Sequence, residues 1–278
     1  MRGSLISAPY LHYLVKNKSR IKIVNVIMTD HHHNQEENNK FTHAHRITLD
    51  QSTLNLIDIT ATPVPVPRKL PTKNTFEKYI QDNQYDHLTP IVFFDEHIHF
   101  AARAWFTFRY FGFKRVYVLD GGFNKWHHQH DIDKHESKVF EDLNKQDQPK
   151  DQVTSLTTND VSVISYLKQH KDPKGDDWLL LDARDQPRYK KGSIPGSYNL
   201  PYSEYLNDDH TMKSTENLQK LYKSHQIDIT KKIVNTCQTG KLSCIALLAQ
   251  EILKKKELLL FDGSYEEWNH EHPHPVKH

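Results

Sequence analysis

Cys237 is the residue whose type and setting best suit chemistry. It follows Lys232-Ile233-Val234-Asn235-Thr236, a short run with the β-branched enrichment of a strand. After Gln238-Thr239-Gly240-Lys241-Leu242 comes Ser243-Cys244-Ile245-Ala246-Leu247-Leu248-Ala249-Gln250-Glu251-Ile252-Leu253, too long and too rich in alanine and leucine for a strand and read as a buried helix. The cysteine therefore falls at the carboxyl end of a strand, where α/β sheets bind ligands and where a loop entering a helix turns several N–H groups toward one point. That point suits an anion, and a helix N-terminus with a nearby cation favours the thiolate, the nucleophilic form of a thiol. Gly240 fits the same picture, because a ring of inward N–H groups needs backbone conformations that side chains disfavour. The competing reading of a lone cysteine is a small core residue, and Cys244, inside the apolar helix, takes that one.

The elements around this loop occur twice. Trp178-Leu179-Leu180-Leu181-Asp182 and Glu257-Leu258-Leu259-Leu260-Phe261 read as further strands, and strands alternating with helices imply right-handed crossovers and a mainly parallel sheet. Asp120-Gly121-Gly122-Phe123-Asn124-Lys125-Trp126 and Asp262-Gly263-Ser264-Tyr265-Glu266-Glu267-Trp268 share one pattern at an offset of 142 residues, at which Ile91–Asp95 also aligns with Ile233–Cys237. A repeat of that length is a duplicated domain, not a solenoid. The first copy offers strands at Lys22–Val26, Pro90–Phe94 and Arg115–Leu119 and a helix from about Phe100 to Phe111. Trp105, Trp126 and Trp268 read as packing anchors. The expected architecture is α/β, with two tandem domains that each carry a mainly parallel sheet covered by helices on both faces. Residues 1–130 form the first, a polar stretch over 131–153 the linker, and residues 154–278 the second.

Four ordered motifs of the second copy carry a resemblance. They are Leu181-Asp182-Ala183-Arg184 with Pro187-Arg188-Tyr189, the turn Gly192-Ser193-Ile194-Pro195-Gly196, the Cys237 loop, and Asp262-Gly263 through Trp268. In this order they resemble the rhodanese domain, and the first copy resembles the non-catalytic N-terminal domain of two-domain sulfurtransferases through Ala101-Ala102-Arg103-Ala104-Trp105 and Val118-Leu119-Asp120-Gly121-Gly122. The resemblance implies two rhodanese-like domains and transfer of a sulfane sulfur by double displacement through a persulfide on Cys237. The loop residues Gln238, Thr239, Gly240, Leu242 and Ser243 would cradle the persulfide or anion, and Arg184 and Arg188 would bind substrate, with Lys241 as a third cation. Thiosulfate is the expected donor and 3-mercaptopyruvate the alternative, the acceptor being cyanide, a cellular thiol or a thiol-bearing protein; no cofactor or metal is called for. Where thiosulfate sulfurtransferases typically have basic residues after the cysteine, and mercaptopyruvate enzymes Gly then Ser, this chain has Gln238 and Thr239. Ser193 replaces the usual histidine of the turn. The first copy has Asp95 at the nucleophile position and Ile98 opposite Gly240, and is expected to do no sulfur chemistry.

Other classes are disfavoured. With 37 basic and 35 acidic side chains the net charge is +2, too near neutral to suggest a nucleic-acid or membrane surface. No stretch approaches a membrane span, and two cysteines without a signal-like apolar segment suit a reducing compartment, with cytoplasm expected. A cysteine phosphatase would need Arg six positions after the nucleophile, where Ser243 stands. A non-catalytic binding or sulfur-sensing module is the remaining alternative. His31-His32-His33 and His43 with His45 have metal-compatible types, but lie in polar segments and read as solvated loop.

Overall fold

The computed structural model describes residues 3–27, 51–55, 69–128, 143 and 151–273. The histidines His31–His33, His43 and His45, the proline-spaced Thr62–Pro67 segment and most of the expected linker lie outside them.

The first domain runs β1 (Leu5–Ile6), α1 (Ala8–Lys16), β2 (Lys22–Ile27), β3 (Gln51–Asn55), α2 (Lys73–Asp82), β4 (Ile91–Phe94), α3 (His99–Tyr110), β5 (Val116–Leu119) and α4 (Gly122–His128). The second runs β6 (Gln152–Leu156), α5 (Thr158–Gln169), β7 (Trp178–Asp182), α6 (Gln186–Lys191), β8 (Ser197–Asn199), α7 (Thr215–Ser224), β9 (Lys232–Thr236), α8 (Ser243–Ile252), β10 (Glu257–Phe261) and α9 (Ser264–Glu271). The strand orders are β1-β5-β4-β2-β3 and β6-β10-β9-β7-β8, one topology used twice. Every named strand pair is parallel. β6 starts at Gln152, inside the stretch expected to be linker.

Parallel strands buried on both faces read as continuous apolar runs, and Ile91–Phe94 and Leu258–Phe261 are buried throughout. One face of each sheet holds its own small core. In the first domain this includes Leu11, Leu14, Val92 and Trp126; in the second, Val161, Ile164, Val234 and Trp268. The opposite faces share a single core built around α3 and α8, which pack on each other where the domains meet. Ala101–Arg109 of α3 and all of α8 are buried, the signature of central helices. The junction keeps a twofold logic. Asp120 Oδ1 accepts the N–H of Met212 at 2.7 Å, and Asp262 Oδ2 accepts that of Leu70 at 2.6 Å, so partners as well as acceptors are spaced by 142.

Candidate active site

β9 delivers Cys237 to the end of its sheet, and the following loop is anchored by the turn after β10. Ser264 Oγ accepts the Cys237 N–H at 3.1 Å, while the N–H groups of Tyr265 and Glu266 donate to the carbonyls of Cys237 (3.0 Å) and Gln238 (3.1 Å). Gly240 sits at φ +75°. Among the described residues, no protein acceptor takes the backbone N–H groups of Gln238, Thr239, Gly240, Leu242 or Ser243, and no side chain caps α8. Five donors, with no protein acceptor of their own, thus remain beside the thiol for a ligand, the pattern of an anion cradle. Ser243 Oγ adds a contact to Cys237 Sγ at 3.7 Å. Cys244 lies deep in α8, where burial pushes its thiol up to about 12; it remains protonated and its Sγ donates to the Gly240 carbonyl at 3.2 Å.

The two arginines divide differently from the expectation. Arg184 is buried: its Nε and Nη2 bind the Asp182 carboxylate, with Nη2 at 2.6 Å, and Nη2 also reaches the Gly192 carbonyl at 2.8 Å. The Tyr265 ring lies 3.8 Å beneath its guanidinium. These bonds brace the β7 end and the Gly192 turn, and Arg184 has no place in the cavity wall, so its expected role in substrate binding draws no support from the cavity. Arg188, on the short helix α6 that Asp185 caps, is 62% exposed, has one ion pair at 3.3 Å to Asp185, and faces the cavity. It is the arginine in the cavity wall.

That cavity, about 280 Å³, is lined by Cys237, Gln238, Thr239, Lys241, Leu242, Arg188, Glu266, His99 and Phe100. The last two come from the first domain. Their counterparts 142 residues on are Lys241 and Leu242, so the corresponding loops of the two copies face each other across the junction. Sequence reasoning missed His99 and Phe100, although the repeat offset that aligned Asp95 with Cys237 carried the signal. Lys241 Nζ lies 5.6 Å from the centre of the Phe100 ring. Burial lowers the His99 pKa to about 4, with His97 and His210 contributing, so its ring is neutral at physiological pH. Among the described residues no group of three or more His, Cys, Asp or Glu side chains could hold a metal ion.

In the first copy the corresponding loop carries a carboxyl group of its own. Asp95 is buried and its Oδ2 accepts the Phe100 N–H at 2.6 Å. Burial nevertheless outweighs the surrounding N–H groups and raises its pKa to about 7. From about pH 4 to 7 the folded protein holds a proton that the unfolded chain has released, so stability falls as pH rises through this window. Asp95→Asn removes the dependence. In denaturant titrations the variant should gain on wild type by on the order of 2 kcal/mol between pH 5 and pH 8, a figure discounted from the full linkage of the shift. A difference that stays constant with pH would refute the assignment.

The rhodanese-like domain pattern matches residues 51–129 and 164–271, and the chain belongs to that family. It is 28% identical over 225 residues to a thiosulfate sulfurtransferase of Bos taurus, covering 75% of this chain and 72% of that protein. It is also 27% identical over 218 residues to a 3-mercaptopyruvate sulfurtransferase of Mus musculus, covering 73% and 70% respectively. The solved structure of SseA from Escherichia coli, described as a 3-mercaptopyruvate sulfotransferase, superposes with a TM-score of 0.74 at 21% identity over 95% of this chain and 99% of that one. This last likeness concerns the fold.

Proposed function

We propose that the chain is a sulfurtransferase that moves a sulfane sulfur from thiosulfate to a thiophilic acceptor through a persulfide on Cys237. The observation that carries this reading is a cysteine facing a cavity between domains, beside five N–H donors without a protein acceptor among the described residues and the cations Arg188 and Lys241. The names of the sequence relatives support the same class. The Cys237 thiolate attacks the outer sulfur of thiosulfate; the S–S bond of the donor breaks and sulfite leaves with the electron pair. The persulfide anion lies in the loop cradle, whose fixed dipoles stabilise charge without reorganising. Cyanide or a thiolate then attacks the terminal sulfur, and Cys237 departs as thiolate.

3-Mercaptopyruvate is the second reading, favoured by Gln238 and Thr239, which lack the charge expected next to the nucleophile for thiosulfate. Arg188 and Lys241 outnumber Glu266 in the cavity wall by one charge, which favours anions of either kind. No described helix is long and apolar enough to cross a membrane. Both cysteines are free and buried, which suits a reducing compartment such as the cytoplasm.

The deciding experiment supplies each donor with cyanide and follows thiocyanate. Thiosulfate should give the higher kcat/KM, and Lys241→Ala should raise the KM for thiosulfate about tenfold, the effect of losing roughly 1.4 kcal/mol, with a smaller rise for 3-mercaptopyruvate. Equal effects would remove the preference for thiosulfate. No thiocyanate from either donor, together with no gain of one sulfur by Cys237 in the mass spectrum, would favour the non-catalytic sensor.

A further inference from the structure

The left-handed turn at Gly240 has a structural consequence. In the first copy, the matching residue Ile98 has φ −164°, and its carbonyl accepts the Ala102 N–H at 3.0 Å as an ordinary first bond of α3. In the second, Gly240 at φ +75° turns its carbonyl out of that ladder, and the Cys244 N–H bonds to Lys241 instead, at 3.1 Å. A buried carbonyl needs donors from elsewhere. Two are present: the Cys244 thiol at 3.2 Å and, from the other domain, Arg103 Nη1 at 3.4 Å.

Arg103 is 1% exposed on α3, and the same Nη1 lies 2.7 Å from Asp262 Oδ1. Asp262 opens the turn whose Ser264, Tyr265 and Glu266 hold the Cys237 loop. The guanidinium thus touches the Gly240 carbonyl in the loop and the Asp262 carboxylate at the start of the turn that holds it. The repeat makes this selective. Asp120 and Asp262 each accept a backbone N–H from the opposite domain, but the residue 142 positions after Arg103 is Ile245, which can offer no guanidinium to the first copy. The guanidinium of Arg103 thus has no equivalent at the matching repeat position.

We propose that Arg103, a residue of the non-catalytic domain, is a positioning residue for the Cys237 loop, fixing Gly240 and Asp262 so that the N–H cradle forms. The proposal rests on the sulfurtransferase reading above. It makes the first domain a working part of the active site as well as a wall of the cavity.

Arg103→Met leaves Asp262 buried and unpaired, and the cost to folding could mask the effect. The informative variant is therefore Arg103→Met with Asp262→Asn, in which the amide oxygen still accepts the Leu70 N–H. It is measured in the full-length chain beside both single variants and Arg103→Lys. Thermal unfolding of the double variant should return to near that of wild type, while kcat for sulfur transfer stays about 30-fold or more below it. KM for the donor should change less than threefold, because Arg103 does not line the cavity. Arg103→Lys should recover part of kcat, since a cation with a donor is restored. A kcat depressed more than fivefold at restored thermal stability supports the proposal. Recovery of kcat to within fivefold together with stability overturns it, reducing Arg103 to the counter-ion of Asp262. Should the double variant fail to fold, Arg103→Lys decides by the same fivefold limit on kcat. A wild-type protein inert with both donors overturns this proposal and the sulfurtransferase reading together, an outcome separate from the others because it is read before any variant.

Discussion

Cys237→Ser abolishes sulfur transfer and leaves the fold in place. The thiol is 1% exposed at the end of β9, and its main chain is held by Ser264 and Tyr265 through backbone groups that the substitution does not touch. A hydroxyl is slightly smaller than a thiol and has Ser243 Oγ beside it as a polar neighbour, so the change in stability should stay within about 1–2 kcal/mol. The chemistry has no such tolerance. A serine hydroxyl with no general base among the loop residues is a poor nucleophile at neutral pH, and a sulfur bound to oxygen would not be a stable carrier. We expect turnover to fall by at least about 10⁴-fold, to the level of the uncatalysed reaction. The check is thiocyanate formation alongside mass spectrometry of the thiosulfate-treated protein, with the added sulfur present on wild type and absent from the variant. Cys244 cannot substitute, because burial keeps its thiol protonated and it lies outside the cavity wall. Residual transfer well above background would mean that the nucleophile has been misassigned.

The elements legible in the sequence were those whose residues report burial directly. Ile91–Phe94, Trp178–Asp182, Lys232–Thr236 and Glu257–Phe261 are central parallel strands, mostly apolar or β-branched because both faces are covered, and the structure places strands there to within a residue. β6 was hidden because it flanks only β10 in its sheet. Its residues Gln152-Val153-Thr154-Ser155-Leu156 are half-exposed and mostly polar, so nothing distinguishes them from the linker before them. Cys237 and Gly240 stand out in the sequence because covalent chemistry and a left-handed backbone each restrict residue type, and Gly240 does adopt the left-handed turn. The setting of Arg184 was not legible, for an equally physical reason. An arginine two residues after a buried aspartate can turn back upon it, and composition alone does not reveal that Asp182 is wholly buried and claims the guanidinium. His99, Phe100 and Arg103 come from the other copy, and only the packing of α3 on α8 brings them to Cys237.

Gly240→Ala should be the most damaging change to activity after loss of Cys237, for a reason of geometry. At φ +75° any L side chain is strained by about 1 kcal/mol, and here space is lacking too. An added Cβ would stand 2.6 Å from the Asp262 carbonyl oxygen, 3.2 Å from its Oδ1 and 3.3 Å from Arg103 Nη1. The nearest of these is backbone at the end of a central strand and cannot give way, so the loop must move. Movement of a few tenths of an ångström misdirects the N–H groups that would hold a persulfide, and removing one donor from such a site typically costs 10²–10³-fold. We therefore expect kcat/KM to fall by about 10²-fold or more, with a loss of stability of roughly 2–3 kcal/mol. Gly112→Ala separates the two causes. Gly112 has φ +91° with nothing within 4 Å of an added Cβ, so that variant carries the backbone strain without the collision. It should lose about 1 kcal/mol in denaturant titrations and keep its transfer rate. If Gly240→Ala behaves like Gly112→Ala in both measurements, the loop is more yielding than its contacts with Asp262 and Arg103 imply, and the cradle cannot depend on the left-handed turn.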